Sequence, residues 1–166
     1  AVRPGVAILF TVPQVGTYCA ARLLIPSAPP WGLRAVGIAS LVTAVYAAML
    51  GLVQKDSRRM FGFFFMSQSA VVLAGRECNN VAGLTGGLML WVSRLLSLTG
   101  FGIALRALEA RRGNLSLQQF HGGYERMAIL AVSFLILGLA CVGLPGTLGF
   151  VAEELLVDGV VESFPV

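Results

Sequence analysis

Residues 81–105 read VAGLTGGLMLWVSRLLSLTGFGIAL, a stretch of 25 residues whose single charged side chain, Arg94, lies near the middle. The hydrocarbon core of a bilayer is about 30 Å thick, and a helix of roughly 20 mostly apolar residues crosses it. The stretch has this length and this composition. It therefore predicts a transmembrane helix that holds one guanidinium at membrane depth.

The whole chain has the composition of a membrane protein. Of its 166 residues, 57% are hydrophobic and 12% are charged, whereas soluble domains are roughly 45–50% apolar and about 25% charged. The twelve Lys and Arg residues outnumber the eight Asp and Glu, but they lie in short gaps between apolar runs instead of on one face. This distribution excludes a nucleic-acid partner and predicts an integral membrane protein, which we expect in the bacterial inner (cell) membrane.

The chain lacks the motifs of soluble enzymes. It has no Walker loop, no Gly-x-Gly-x-x-Gly after a strand and no His-Glu-x-x-His, and its three cysteines form no Cys-x-x-Cys pair. The sequence therefore predicts no catalytic residue, no cofactor and no metal site, and no redox chemistry on this chain.

Four more apolar segments reach or approach the length of a span, at residues 5–25, 33–53, 60–75 and 127–157. The last is interrupted at Pro145-Gly146, because proline removes an amide donor and glycine accepts the dihedral angles needed to leave the helix. We expect an all-α polytopic transmembrane bundle of about five spans with one broken helix. Residues 1–166 then form a single transmembrane domain, which we expect to be a fragment of a longer subunit.

The gaps between the spans predict the orientation of the bundle. Eight Lys and Arg residues fall on the side of the N-terminus and of the gaps at 54–59 and 106–126, and three fall on the other side. This excess places both gaps in the cytoplasm. Residues 107–125 are expected to be the main extramembrane piece, and a turn at 29–32 is expected to precede the second span and to hold Trp31 at headgroup level.

A few polar side chains within the spans are candidates for a hydrated path. Arg94 costs about 2.5 to 3.5 kcal/mol at the bilayer centre, so it is expected to face the interior of the bundle, in a pathway or in a structural ion pair. Gln14 and Gln68 line such a path or form interhelical hydrogen bonds, as do Ser67, Ser69, Ser93, Ser97 and Thr99. Glu153, two turns after the break, is a proton carrier or a solvated interfacial residue. Arginine does not release its proton in proteins, so another group has to relay.

Three stretches taken in order are similar to one known family. They are Gln54-Lys55-Asp56-Ser57-Arg58-Arg59 after an apolar span, Gly122-Gly123 before another, and GLPGTLGFVAE at residues 143–153. Together they resemble the antiporter-like proton-translocating subunits, which include NuoL, NuoM and NuoN of respiratory complex I, the Mrp antiporter subunits and related hydrogenase subunits. The stretch from Val15 to Leu23 is similar to this family's Lys-x-Gly-x-Tyr-Gly-Leu-Leu-Arg helix, so the resemblance covers essentially the whole chain.

The resemblance implies a fold and a function. Members of the family have about fourteen helices, with two inverted five-helix units that each form a half-channel for protons, and this chain would correspond to the middle of such a subunit. It would be a proton-conducting subunit of an NADH:quinone oxidoreductase-type or related complex, in contact with other membrane subunits, the bilayer and protons. The alternatives are a divergent membrane scaffold that has lost conduction and a subunit of an inorganic-carbon uptake system.

The resemblance also assigns the pathway positions. The family's pathway lysine falls at Gln14, and two of its histidines fall at Gln68 and Arg94. None of these three replacements titrates near pH 7. Glu153 is then the remaining relay candidate.

Overall fold

The computed structural model describes residues 15–16, 18–19, 23, 29–75, 81–113, 115–119, 122 and 127–163, and five helices make up most of this part of the chain. They are α1 (Pro30–Leu52), α2 (Ser57–Gly75), α3 (Val81–Arg112), α4 (Ala128–Val142) and α5 (Leu148–Ser163). The predicted all-α class is confirmed. Most of the predicted span at 5–25, including Gln14, lies outside the described residues.

The first helix begins three residues earlier than predicted. Pro30 takes the first helical position, where the missing amide hydrogen of proline is not needed, and the Pro29 carbonyl accepts the Gly32 and Leu33 amides at 2.9 and 3.2 Å. The expectation of a turn at 29–32 is therefore wrong, because most of it is the first turn of α1. Trp31 is still exposed at the end of the helix, a position that suits the headgroup level.

The second and third helices are longer than predicted. Helix α2 starts at Ser57, three residues before the predicted start, and its 19 residues span about 28 Å, close to the hydrocarbon thickness. Helix α3 continues seven residues past Leu105, so the expectation of a loop is wrong for residues 107–112. This segment is rich in strong helix formers and ends in two arginines, which favour the negative end of the helix dipole. Gly113, with φ +81°, then ends the helix.

Helices α1 and α2 pack through small residues. The buried positions of α1 recur every three or four residues: Gly37, Ser40, Ala44, Ala47 and Gly51. The Ser67 hydroxyl on α2 donates to the Ala44 carbonyl at 2.9 Å. The rest of α1 exposes large apolar side chains, among them Ile38, Leu41, Val42, Val45 and Met49. Close packing of small residues combined with an apolar outer surface is typical of transmembrane helices.

Helix α3 is the centre of the described bundle, because α2, α4 and α5 all pack against it. One core cluster surrounds Phe101, whose ring centroid lies 4.6 Å from that of Phe134 on α4 and 5.6 Å from that of Phe61 on α2. A second cluster joins Leu90 of α3 to Val72 of α2 and Ala152 of α5. Helices α4 and α5 therefore both pack against α3, which is continuous.

Two of the described helices are long and apolar enough to cross a membrane by length and composition, at Trp31–Leu52 and Gly83–Arg112. Ala128–Val142 is a shorter apolar helix of roughly 22 Å, less than the hydrocarbon thickness. It therefore needs α5 to complete a crossing.

Candidate functional site

The predicted interruption at Pro145-Gly146 is confirmed, and it begins at Gly143. Helix α4 ends at Val142, and Gly143 adopts the left-handed conformation at φ +81°. The amides of Gly143 and Leu144 donate to the Ala140 and Leu139 carbonyls at 3.4 and 3.1 Å, which is the Schellman arrangement of a helix end. The cap uses these two carbonyls and leaves the next one, that of Cys141, available to a donor outside the helix.

Arg94 supplies this donor. Its side chain is only 2% exposed, and its Nη1 donates to the Cys141 carbonyl while its Nη2 donates to Oε1 of Glu153. The carbonyls at the end of α4 carry the partial negative charge of the helix dipole, which favours a cation. One guanidinium on α3 thus joins the end of α4 to the second turn of α5.

Both carboxylate oxygens of Glu153 lie at the break. Oε1 accepts the bond from Arg94, and Oε2 lies so close to the Gly143 backbone that a Cβ on Gly143 would come within 2.6 Å of it. The Glu153 side chain nevertheless remains 36% exposed. The carboxylate therefore pairs with a buried cation on one side and has an accessible side next to the turn.

Serine hydroxyls complete a polar layer on α3 around Arg94. Ser93 and Ser97 are both buried, and the Ser97 hydroxyl donates to the Ser93 carbonyl at 2.6 Å. The hydroxyl of Ser93 faces Gly149 of α5, where a Cβ would come within 3.1 Å of it. Gly149 thus lets the first turn of α5 approach the polar side of α3.

The structure brings together four of the residues predicted from the sequence. Arg94 and Glu153 form an ion pair, and Pro145 and Gly146 lie in the exposed turn between α4 and α5. Gln68 is half-buried on α2, and the hydrogen bonds of Arg94 within the described residues go to α4 and α5 instead.

Sequence reasoning missed two features of this site. The role of Gly143 could have been predicted from the sequence, because a glycine directly after an apolar helix is a common C-terminal cap. The role of the Cys141 carbonyl could not be predicted, because every residue type carries the same backbone carbonyl.

A second polar cluster lies towards the end of α3 and was not predicted. The Glu109 side chain is 3% exposed and accepts hydrogen bonds from Ser57 Oγ at 3.2 Å, from Arg58 Nε at 2.9 and 3.0 Å, and from Arg106 Nη1 at 3.0 Å. Since α3 spans about 48 Å, Glu109 belongs to the part that extends beyond a 30 Å core. The cluster fixes the start of α2 against the end of α3.

Backbone pairing reinforces this connection between the two loops. The Ser57 amide donates to the Leu115 carbonyl at 3.2 Å, and the Leu117 amide donates to the Lys55 carbonyl at 2.9 Å, around an antiparallel bridge between Asp56 and Ser116. The basic segment 54–59 is thereby attached to the loop that follows α3.

Comparison with known proteins identifies the family. A family described as the transmembrane part of the NADH:quinone oxidoreductase/Mrp antiporter proteins matches residues 1–165. The chain belongs to this family. It is 27% identical to F(420)H(2) dehydrogenase subunit M of Methanosarcina mazei over 165 residues, and 30% identical to NADH-quinone oxidoreductase subunit 13 of Thermus thermophilus over 160 residues. These alignments cover 96% and 95% of the chain but only 33% and 34% of the relatives, so the chain spans about one third of their length.

Two solved structures have the fold of this chain. A chain of respiratory complex I from Thermus thermophilus with bound NADH superposes with a TM-score of 0.82 at 28% identity, over 91% of this chain and 33% of that one. A chain of the Mrp complex from a Dietzia species superposes with a TM-score of 0.84 at 22% identity, over 90% of this chain and 28% of that one. The two chains therefore share a fold. The polytopic membrane bundle predicted from the sequence is confirmed.

Proposed function

We propose that this chain contributes part of the proton path of an antiporter-like subunit in an NADH:quinone oxidoreductase-type or related complex of the cell membrane. Electron transfer takes place on other subunits, and this chain couples it to proton translocation. The observation that carries the proposal is the ion pair between buried Arg94 and partly exposed Glu153 at the break between α4 and α5.

The charge of this pair and its accessibility favour a proton path. A guanidinium at membrane depth is tolerated only with a partner. Ionisable residues are rare within transmembrane segments, and those that occur mark ion and proton pathways. A broken helix at membrane depth needs protein or a water-filled cavity around its freed backbone. Arg94 keeps its proton, whereas a carboxylate exchanges one readily. Glu153 is therefore the relay.

The partners follow from the membrane surface of the bundle. Helix α1 exposes a continuous set of large apolar side chains, which require lipid or neighbouring transmembrane helices around them. We expect both, since the relatives are named as subunits of larger enzymes.

The proposal is tested by proton flux. The native assembly that contains this chain is purified and reconstituted into vesicles loaded with a pH-sensitive dye, and a potassium diffusion potential drives protons inward. We expect Glu153→Gln to abolish the chain-dependent flux, because the amide keeps the size of the side chain but carries no exchangeable acid proton. Asp158→Asn, which removes an exposed carboxylate one turn further along α5, is the matched control and is expected to keep the flux.

A second candidate is the scaffold that has lost conduction. It is favoured by Gln14, Gln68 and Arg94, which occupy the positions that the resemblance assigns to titratable residues of the family. The same assay separates the two functions. Flux that is indistinguishable from empty vesicles, with assembly intact, supports the scaffold and contradicts the proton path.

A further inference from the structure

Two arginines, Arg58 of α2 and Arg106 of α3, are held side by side at the end of the bundle where Glu109 lies. The Arg58 side chain is 56% exposed and that of Arg106 is 39% exposed, and both donate to Oε2 of Glu109, at 2.9 and 3.0 Å. Since both nitrogens bond to one oxygen, they are at most about 6 Å apart. We call these two residues the arginine pair.

Most of the hydrogen-bond donors of the arginine pair remain available to a ligand. A guanidinium carries five N–H groups. In hydrogen bonds among the described residues, Arg58 uses only its Nε and Arg106 only its Nη1. Guanidinium groups bind phosphate through two parallel N–H bonds. The spacing and the remaining donors therefore suit one phosphate group that bonds to both arginines.

The arginine pair is fixed before a ligand arrives. The Glu109 side chain that holds it is only 3% exposed and also accepts a hydrogen bond from the Ser57 hydroxyl at 3.2 Å. The backbone bridge between Asp56 and Ser116 joins the two segments that carry the arginines. A site that is ordered in advance loses less side-chain entropy when it binds. This fixed geometry distinguishes the pair from the basic residues that only set the orientation of a membrane protein.

The position of the pair in the bundle is that of the lipid headgroups. The apolar span of α1 ends at Leu52, and α2, which is about 28 Å long, begins at Ser57 on the same side of the membrane. Leu52 and Val53 are 87% and 75% exposed. Acyl chains would cover these two side chains, and the phosphate of the same lipid would then lie at the level of Arg58.

The charge around the pair favours an anionic lipid. Lys55, Arg59 and Arg111 are exposed nearby in the sequence, and Asp56 and Glu109 are the only acidic residues in segments 54–59 and 106–113. Clusters of about four to eight Lys and Arg residues next to a transmembrane helix attract anionic headgroups.

We propose that the arginine pair, oriented by Glu109, is a binding site for the phosphate of an anionic phospholipid whose acyl chains lie against the exposed end of α1. The inference does not depend on the proposed proton path. An acidic protein segment would also carry the right charge, but the exposed Leu52 and Val53 beside a site at headgroup depth favour the lipid.

The test is photo-labelling by a lipid probe. The native assembly that contains this chain is reconstituted into phosphatidylcholine vesicles with increasing fractions of a phosphatidylglycerol that carries a diazirine near the top of one acyl chain. Mass spectrometry of peptides then measures the labelling of residues 49–56. We expect saturable labelling that unlabelled phosphatidylglycerol displaces, whereas inorganic phosphate and soluble polyglutamate do not.

A triple variant, Arg58→Gln with Arg106→Gln and Glu109→Gln, removes the site without leaving a buried charge unpaired. We expect it to raise the probe fraction at half-saturation at least about tenfold, the factor to which one hydrogen bond to a charged group corresponds. Arg59→Gln is the matched control, because it changes the net charge by the same amount at an exposed neighbour. We expect a shift of only about twofold for this control.

Each outcome supports or overturns the lipid site. A large shift in the triple variant and a small one in Arg59→Gln support it. Equal shifts show attraction by net charge alone and overturn it, as does labelling that never saturates. Displacement by inorganic phosphate assigns the pair to a soluble anion, and displacement by polyglutamate assigns it to an acidic protein segment, so either contradicts the proposal.

A further variant decides the question if the triple variant does not assemble. Arg58→Lys keeps the charge and a partner for Glu109 but lacks the planar fork of donors. The proposed site predicts that half-saturation rises at least about threefold in this variant. An unchanged value would overturn the site.

Discussion

Replacing Gly143 by alanine tests the connection between the helix break and the ion pair. At φ +81° an L-residue costs roughly 1–2 kcal/mol relative to glycine. The new Cβ would also lie 2.6 Å from Glu153 Oε2, so the carboxylate has to move away from Arg94. A charge-assisted hydrogen bond contributes about 1.5–3 kcal/mol. We therefore expect Gly143→Ala to lower the free energy of unfolding by about 2.5–5 kcal/mol.

The chain contains a matched control for the backbone part of this effect. Gly146 has φ +98°, and no atom lies within 4 Å of a Cβ placed there. Gly146→Ala therefore pays only for the backbone conformation. The difference between the two alanine variants measures the contact between Gly143 and Glu153.

The assay is titration of the protein from dodecyl maltoside micelles with SDS, followed by far-ultraviolet circular dichroism. A double-mutant cycle completes it, because in a Glu153→Ala background Gly143→Ala no longer displaces a carboxylate. In that background we expect the cost of Gly143→Ala to fall to about 1–2 kcal/mol, the backbone part alone. Equal costs in the two backgrounds would refute the argument that the glycine exists to admit the carboxylate.

Two further predictions concern packing and the cluster at the end of α3. Gly86→Ala is expected to destabilise by about 1–3 kcal/mol, because its Cβ would lie 2.8 Å from the Leu156 amide nitrogen of α5, whereas Gly62→Ala, with open space around it, is expected to stabilise by about 0.5–1 kcal/mol. The same SDS titration measures both, and a stable Gly86→Ala would contradict the close crossing of α3 and α5. Glu109→Gln is expected to cost about 1–3 kcal/mol, because the buried carboxylate accepts from a hydroxyl and two arginines. Exposed Glu154→Gln should stay within about 0.5 kcal/mol, and equal effects of the two amide variants would argue against the Glu109 cluster.

The spans and the break could be predicted because their signals are local. Apolar length identifies a helix that crosses a membrane, and Pro145-Gly146 interrupts the hydrogen-bond ladder wherever it occurs. The helix ends were less accurate, since Pro30 is as compatible with the first turn of a helix as with the turn before it. The extension of α3 to Arg112 follows from helix propensity and charge placement, which an argument from hydropathy alone ignores.

The polar contacts were harder to predict because they join distant parts of the chain. Arg94 and Glu153 are 59 residues apart, and Ser57 and Glu109 are 52 apart. Composition indicated that Arg94 needs a partner, and only the packing of α5 on α3 selects which one. Glu109 carried no signal at all, since a single glutamate near the end of a basic helix is equally compatible with a solvated position.

Arg94 and the helix break each offset an energetic cost that the other would have alone. A buried guanidinium without a partner is unfavourable in a membrane, and so is a helix end whose carbonyls lack donors. In this chain the cap of α4 leaves the Cys141 carbonyl for Arg94, and α5 brings Glu153 to the other side of the same guanidinium. The Cys141 carbonyl and Glu153 both accept from Arg94, and Arg94 is the donor that both of them need. Replacing any one of the three therefore leaves a polar group at the break without its partner. A neutral residue at position 94 would therefore require a new donor at the end of α4, which is most simply a water molecule in the space that the side chain vacates.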